Sequence, residues 1–250
     1  MTDPTSAKAE GPPLTRAHMA AAVKGVFGQS FPFTVTRRTP IDWLGGETVE
    51  LEVICGTLTL HSPADGRLVH GQIYERSDDE PAFSEELRGE ITPKVREKIM
   101  AFVEQNFPWA APLAASGPET RGPDYFMVFE DTIDGVIMPS RLEVDTNWEG
   151  EVKSFWAYYE PDTPPSVVKL TKEEAIETAQ AGLAGNPRFQ NCEVKEAWLK
   201  MKRFDQGLRT VWYLELFPLP VPGEFFLPHG GGPVAVDAAT GEILYVGAWK

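Results

Sequence analysis

Val236-Asp237-Ala238-Ala239-Thr240-Gly241-Glu242-Ile243-Leu244 decides the fold, because the same order of features occurs twice upstream. The other copies read Ala64-Asp65-Gly66-Arg67-Leu68-Val69 and Val144-Asp145-Thr146-Asn147-Trp148-Glu149-Gly150-Glu151-Val152. In each, a strand runs into a turn near an acidic residue and Gly, and a second strand leaves it. Their glycines stand roughly 85 to 90 residues apart, and a fixed period is the mark of a chain built from repeated units. Ahead of each copy lie a short amphipathic helix and further strands. The period predicts an α+β protein of about three tandem units, each one helix packed on an antiparallel sheet.

The helices announce themselves by their ends. Thr15 can cap a helix over Arg16 to Phe27, with Met19, Val23 and Val26-Phe27 on one stripe and Gly28 as the stop. Thr92-Pro93 is an N-cap followed by Pro at the first helical position; Val95, Ile99, Phe102 and Val103 form the stripe. Thr171-Lys172-Glu173-Glu174 is a capping box, and its helix runs to about Ala184-Gly185. Strand patterns cover 31–38, 48–61 and 67–75 in the first unit, 124–130, 136–145 and 152–160 in the second, and 192–204, 208–217, 234–237 and 242–248 in the third. Gly45-Gly46, Asp134-Gly135 and Asp205-Gln206-Gly207 supply turns between them. In the second strand, Val49, Leu51 and Val53 face one way and Glu50 and Glu52 the other.

Two segments read as linkers. Asp78-Asp79-Glu80-Pro81 is a charge run beside Pro, and Glu160-Pro161-Asp162-Thr163-Pro164-Pro165 can continue neither a helix nor a central strand. The expected organisation is a disordered lead over 1–13, then units at 14–77, 90–160 and 166–250. Units of about 80 residues are near the lower size for an independent core, so neighbours should lean on one another.

Composition narrows the function classes. With 42% hydrophobic and 24% charged residues the chain is an ordinary globular sequence. Its net charge of -14 argues against tracking nucleic-acid phosphates, which needs clustered Lys and Arg. No stretch approaches the ~20 apolar residues of a membrane-spanning helix. The polar start, Met1 to Pro13, lacks the basic end and apolar centre of a secretory signal, so the chain reads as cytoplasmic; one already trimmed of a signal would read the same and be extracytoplasmic. Cys55 and Cys192 sit in strand-like runs and read as buried free thiols.

A family resemblance enters at these residues. Leu170-Thr171-Lys172-Glu173-Glu174-Ala175, the strands carrying Trp198 and Tyr213, and the closing stretch 234–244 together resemble a PepSY-type domain. Tyr125-Phe126-Met127-Val128-Phe129, Asp134-Gly135-Val136-Ile137-Met138-Pro139 and Leu142-Glu143-Val144-Asp145 resemble the related YcdB/YcdC repeats of bacterial proteins. The resemblance covers residues 90–250 and is faint over 14–76. It implies cystatin-like units in a non-catalytic role, with inhibition of or association with peptidases, and it supplies no catalytic residues.

Reactive constellations each have a plainer reading. His229-Gly230-Gly231-Gly232 has the look of an oxyanion-hole loop, but no Gly-x-Ser-x-Gly elbow accompanies it. Asp145-x-Asn147-x-Glu149-Gly150 imitates half of a calcium loop, yet its twelfth position is Trp156 and the related turn has Ala239 where an oxygen ligand is needed. His61 and His70 could meet across the Asp65-Gly66 turn as two metal ligands, or serve Cys55 in a hydrolase at a unit junction; Cys55 next to Val53-Ile54 reads as a core residue instead. No metal and no cofactor is expected.

The better signal is aromatic. Along 193–203, Ala197, Leu199 and Met201 share one face and Trp198, Lys200 and Lys202 the other, a basic and aromatic stripe suited to a partner's carboxylates. Trp156 and Tyr158 share a strand face whose reverse holds Phe155 and Tyr159, so one pair needs cover beyond its own helix, expected from a neighbouring repeat. The expected function is binding of peptide or protein through sheet faces or edge strands; the competing readings are a hydrolase at a unit junction and a structural spacer.

Overall fold

The computed structural model describes residues 14–40, 47–62, 68–73, 91–121, 124–160, 163–219 and 230–248. The lead 1–13, Gly45-Gly46, the first closing turn at Asp65-Gly66, the linker at 78–81, Pro161-Asp162 and His229 lie outside them. The protein is α+β, with three α-helices and twelve mostly antiparallel strands among the described residues, mixed by one parallel step. In order these are α1 (Arg16–Phe27), β1 (Phe33–Pro40), β2 (Glu47–Val53), β3 (Gly56–Ser62), β4 (Leu68–Ile73), α2 (Pro93–Asn106), β5 (Ala114–Arg121), β6 (Asp124–Ile133), β7 (Val136–Thr146), β8 (Val152–Tyr158), α3 (Lys172–Leu183), β9 (Cys192–Phe204), β10 (Gly207–Pro218), β11 (Gly232–Asp237) and β12 (Ile243–Val246).

Each helix begins where its cap places it. The Thr15 hydroxyl accepts a hydrogen bond from the His18 amide, and Gly28 closes α1 at φ +72°. Thr92 accepts from the Val95 amide at 3.3 Å, with Pro93 using a position whose N–H has no helical partner. At α3, Thr171 accepts from the Glu174 amide while the Glu174 carboxylate accepts from the Thr171 amide, which satisfies two end donors at once.

Contacts divide the chain into two compact units, residues 1–130 with 140–159, and 131–139 with 160–250. In the first unit the strands pair in the order β1-β2-β3-β4-β8-β7, and β6 and β5 follow beyond β7. One core serves both helices of this unit. Met19, Val23 and Val26 from α1 and Val95, Ile99 and Val103 from α2 are buried with Val49, Leu51, Leu58, Leu60, Phe129, Leu142 and Phe155. Each such side chain contributes roughly 1.5–3 kcal/mol by leaving water, so neither helix-and-sheet segment stands apart energetically. In the second unit the order is β9-β10-β11-β12, with Ile137 of β7 pairing in parallel to Lys200 of β9. Its core is smaller: Ala175, Ala179 and Leu183 of α3 against Leu214, Leu216, Val234 and Val236.

Two features depart from the sequence reading. The run 48–61 is not one strand but the hairpin β2–β3, turned at Ile54 and Cys55, so Cys55 is a turn residue. Apolar residues continue through the turn, and only Gly56, at φ +158°, marks it. Strand β5 has no hydrophobic alternation and contains Gly117 and Pro118; its pairing with β6 defines it.

The closing turns explain why the repeated stretch matters. Asp237 Oδ1 accepts from the amides of Ala239 and Thr240 at 2.8 and 2.9 Å, and the Ala238 carbonyl accepts from the amides of Lys169 and Leu170. The turn thereby holds the chain that enters α3. The second copy does the same at α2: Lys98 Nζ donates to the Glu149 carbonyl at 2.8 Å, and a Cβ on Gly150 would lie 3.2 Å from the Val95 backbone.

Candidate functional site

The β9–β10 hairpin carries the site, and its turn sets the geometry. Phe204 faces Gly207 across Asp205-Gln206, with Gly207 at φ +105°. That register puts Trp198 opposite Tyr213, Lys200 opposite Val211, and Lys202 opposite Arg209. Directly opposed residues project to the same face of a sheet. This face lies away from α3, whose core is built by Leu214, Leu216, Val234 and Val236 on the reverse.

The stripe read from the sequence is thus a cluster. Lys200 Nζ lies 4.6 Å from the centroid of Trp198 and 5.1 Å from that of Tyr213, and Lys202 Nζ lies 4.5 Å from Tyr213. The two rings are 6.4 Å apart at 34°. Ammonium groups over ring faces gain from the ring quadrupole, by about 0.5–1 kcal/mol when exposed and more when water is excluded. Pairing continues from Tyr213 to Ala235 of β11 and from Ala235 to Tyr245 of β12. The row Trp198, Tyr213, Tyr245 therefore spans four strands, with a small residue at the third place. Tyr245 is 46% exposed, whereas Ala235 within the row and Val211 beside it are fully buried.

Charge is segregated along the strands. Glu196 stands opposite Glu215 at one end. Burial, and then the Glu196 charge, push the Glu215 carboxyl up, with Lys200 acting in the opposite sense. Burial also raises the Tyr213 hydroxyl, helped by Tyr245 and Glu215. At the other end, loss of water lowers the Lys202 ammonium. Lys202 is exposed as a residue; the ammonium itself is the part laid against Tyr213.

Sequence reasoning missed Tyr213, Arg209 and Tyr245 as members of this face. The signal for the first two was present, because a two-residue turn at Asp205-Gln206 fixes which residue faces which.

The second aromatic pair, Trp156 and Tyr158, sits on β8 in the first unit. The rings are 6.4 Å apart and nearly parallel at 13°. Phe155 on the reverse face is buried against Phe102 and Phe107, and Tyr159 lies 4.9 Å from Trp109. The cover expected from a neighbouring repeat does not seal Trp156, which stays 43% exposed. Trp156 faces His70 on one side and Glu143 on the other.

The reactive candidates come apart. Cys55 lies in the β2–β3 turn, while His61 is buried near the far end of β3, about 20 Å along an extended strand. His70 is exposed and faces Thr59, not His61. Both cysteines are free, and burial raises both thiols, the reverse of what a nucleophile needs. The Asp145 loop spends its oxygens internally. Asn147 Oδ1 accepts from the amides of Glu149 and Glu151, Asn147 Nδ2 donates to Glu151, and Ser154 donates to Asp145 at 2.7 Å. No group of three His, Cys, Asp or Glu suited to a metal ion occurs among the described residues.

No known protein family and no curated protein matches the sequence. Among solved structures, the chain is similar to the C-terminal domain of YpeB from Bacillus megaterium, with 14% identity and a TM-score of 0.45, covering 96% of this chain and 100% of that one. It is also similar to an uncharacterised protein from Eubacterium rectale, with 12% identity and a TM-score of 0.41, covering 92% of this chain and 81% of the other. No residue role is carried over from either.

Proposed function

We propose that this protein is a non-catalytic binding protein that recognises a peptide or protein through the sheet face of its second unit that lies away from α3. The observation that carries the reading is the cation–π cluster of Trp198, Lys200, Lys202 and Tyr213, set on the β9–β10 hairpin opposite the helix-covered face. Rigid aromatic rings give contact area at low entropic cost, and Trp and Tyr dominate the energetics of interfaces. The PepSY-type resemblance of residues 166–250 makes peptidases the first partners to try, as inhibitor or companion.

The test is binding of the full chain to an immobilised library of extended peptides, and to a panel of purified peptidases. Trp198→Ala and Tyr213→Ala, each checked for native circular dichroism, should lower binding of any hit at least 10-fold, the loss of about 1.4 kcal/mol. Hits that bind both variants as well as the parent protein would place recognition elsewhere.

A further inference from the structure

Resting on that reading, we infer that the Lys202–Arg209 end of the face takes a carboxylate, so that the partner is an extended acidic segment and not a neutral or basic one. The argument begins with a like-charge pair. Lys202 and Arg209 oppose each other directly across β9 and β10. Such pairing destabilises a sheet, and it occurs in a chain where Asp and Glu outnumber Lys and Arg 37 to 23. Among the described residues neither cation is seen paired with a carboxylate, whereas Arg38, Arg141 and Arg203 each are.

Lys202 has the Tyr213 face at 4.5 Å in place of part of its water. A ring face attracts an ammonium but leaves most of its N–H donors unfilled. An incoming carboxylate would fill them and accept from the Arg209 guanidinium as well. Both residues are exposed and so can be reached without rearrangement.

The opposite end of the face fixes polarity. Glu196 and Glu215 oppose each other there, and their charges repel an acidic group from that end, an effect that Lys200 offsets only in part. An acidic segment is therefore held in one direction, its carboxylate at Lys202–Arg209 and its apolar part along Trp198, Tyr213 and Tyr245. Repulsion at the wrong end contributes to specificity as much as attraction at the right one.

The experiment uses the full chain and three synthetic peptides that alternate valine with serine around a central tyrosine and carry two glutamates, two glutamines or two lysines at one end only, titrated by fluorescence anisotropy. The glutamate peptide should bind about 10-fold tighter than the glutamine one, from two exposed charge pairs worth up to roughly fivefold each. Arg209→Gln should weaken the glutamate peptide about 3- to 5-fold and leave the glutamine peptide within twofold, and Lys202→Gln should weaken the glutamate peptide by at least as much. Equal binding of the glutamate and glutamine peptides, still lost in Trp198→Ala, would overturn the acidic preference and leave the face as the recognition surface. Binding that ignores Trp198→Ala would remove the face itself. Concentration-dependent dimers abolished by Lys202→Glu, with no peptide bound, would assign the face to a second copy of this chain and refute the inference.

Discussion

Gly71 on β4 should not tolerate even one carbon. A Cβ there would lie 2.3 and 2.4 Å from two ring carbons of Phe155 and 3.0 Å from Leu58 Cδ2. Phe155 faces Gly71 across the β4–β8 pair, is 1% exposed, and is wedged between Phe107 at 5.1 Å and Phe102 at 5.9 Å, so it has no direction in which to yield freely. Overpacking of a dense core costs about 1–3 kcal/mol. Taking about 2 kcal/mol and a urea dependence near 2 kcal/mol per molar, Gly71→Ala should lower the unfolding midpoint of the first unit by about 1 M. The assay is urea unfolding followed by far-ultraviolet circular dichroism. A companion variant makes the argument specific: Phe155→Leu alone leaves a void and destabilises, but together with Gly71→Ala it gives the new methyl room. The double variant should be more stable than the sum of the two losses predicts, by at least 1 kcal/mol. A Gly71→Ala midpoint within about 0.2 M of the parent, a fifth of the expected shift, or strict additivity of the pair, refutes the packing account.

Four further outcomes follow from the geometry. Removing Arg203, whose guanidinium donates twice to the buried Glu160 carboxylate at 2.6 and 2.9 Å, should cost about 2 kcal/mol by thermal or urea unfolding, less than a fully buried pair because Arg203 is partly exposed; no change in Arg203→Ala would show the pair to be ornamental. Thr171→Ala should cost about 1 kcal/mol through the lost cap. The Glu174 carboxylate is held below its ordinary value of 4.5, first by the Thr171 amide and then by the Thr171 hydroxyl; its contribution is present above that value and is lost as pH falls through the lowered folded value, so the stability gap between parent and Glu174→Gln should close on acidification, and a constant gap would contradict the cap. Because burial raises both thiols, Cys55 and Cys192 should react with a disulfide reagent at neutral pH several-fold slower than free cysteine; equal or faster reaction would mean acidified thiols and reopen a nucleophilic role.

Local chemistry was legible wherever one residue satisfies another close in sequence. Thr15, Thr92-Pro93 and Thr171 with Glu174 start the helices, and Asp134-Gly135, at φ +52° and +80°, turns β6 into β7. The alternation of Val49, Leu51 and Val53 marked the buried face of β2. The Trp198, Lys200, Lys202 stripe was equally visible, because alternate strand residues must share a face. The β2–β3 turn escaped notice because Ile54 and Cys55 look like strand, and β5 because a strand made by its partner needs no pattern of its own.

The sequence by itself determined the helices, their caps, the turns at Asp134-Gly135 and Asp205-Gln206-Gly207 and the recurrence of the closing motif, since these depend on bonds made within a few residues. Tertiary structure alone decided that α1 and α2 share one core, that β4 pairs with β8 from about 80 residues away, and that Tyr245 completes the row begun by Trp198. Such choices are made by burial and by strand order, where many distant partners compete for the same edge and no local pattern says which one wins.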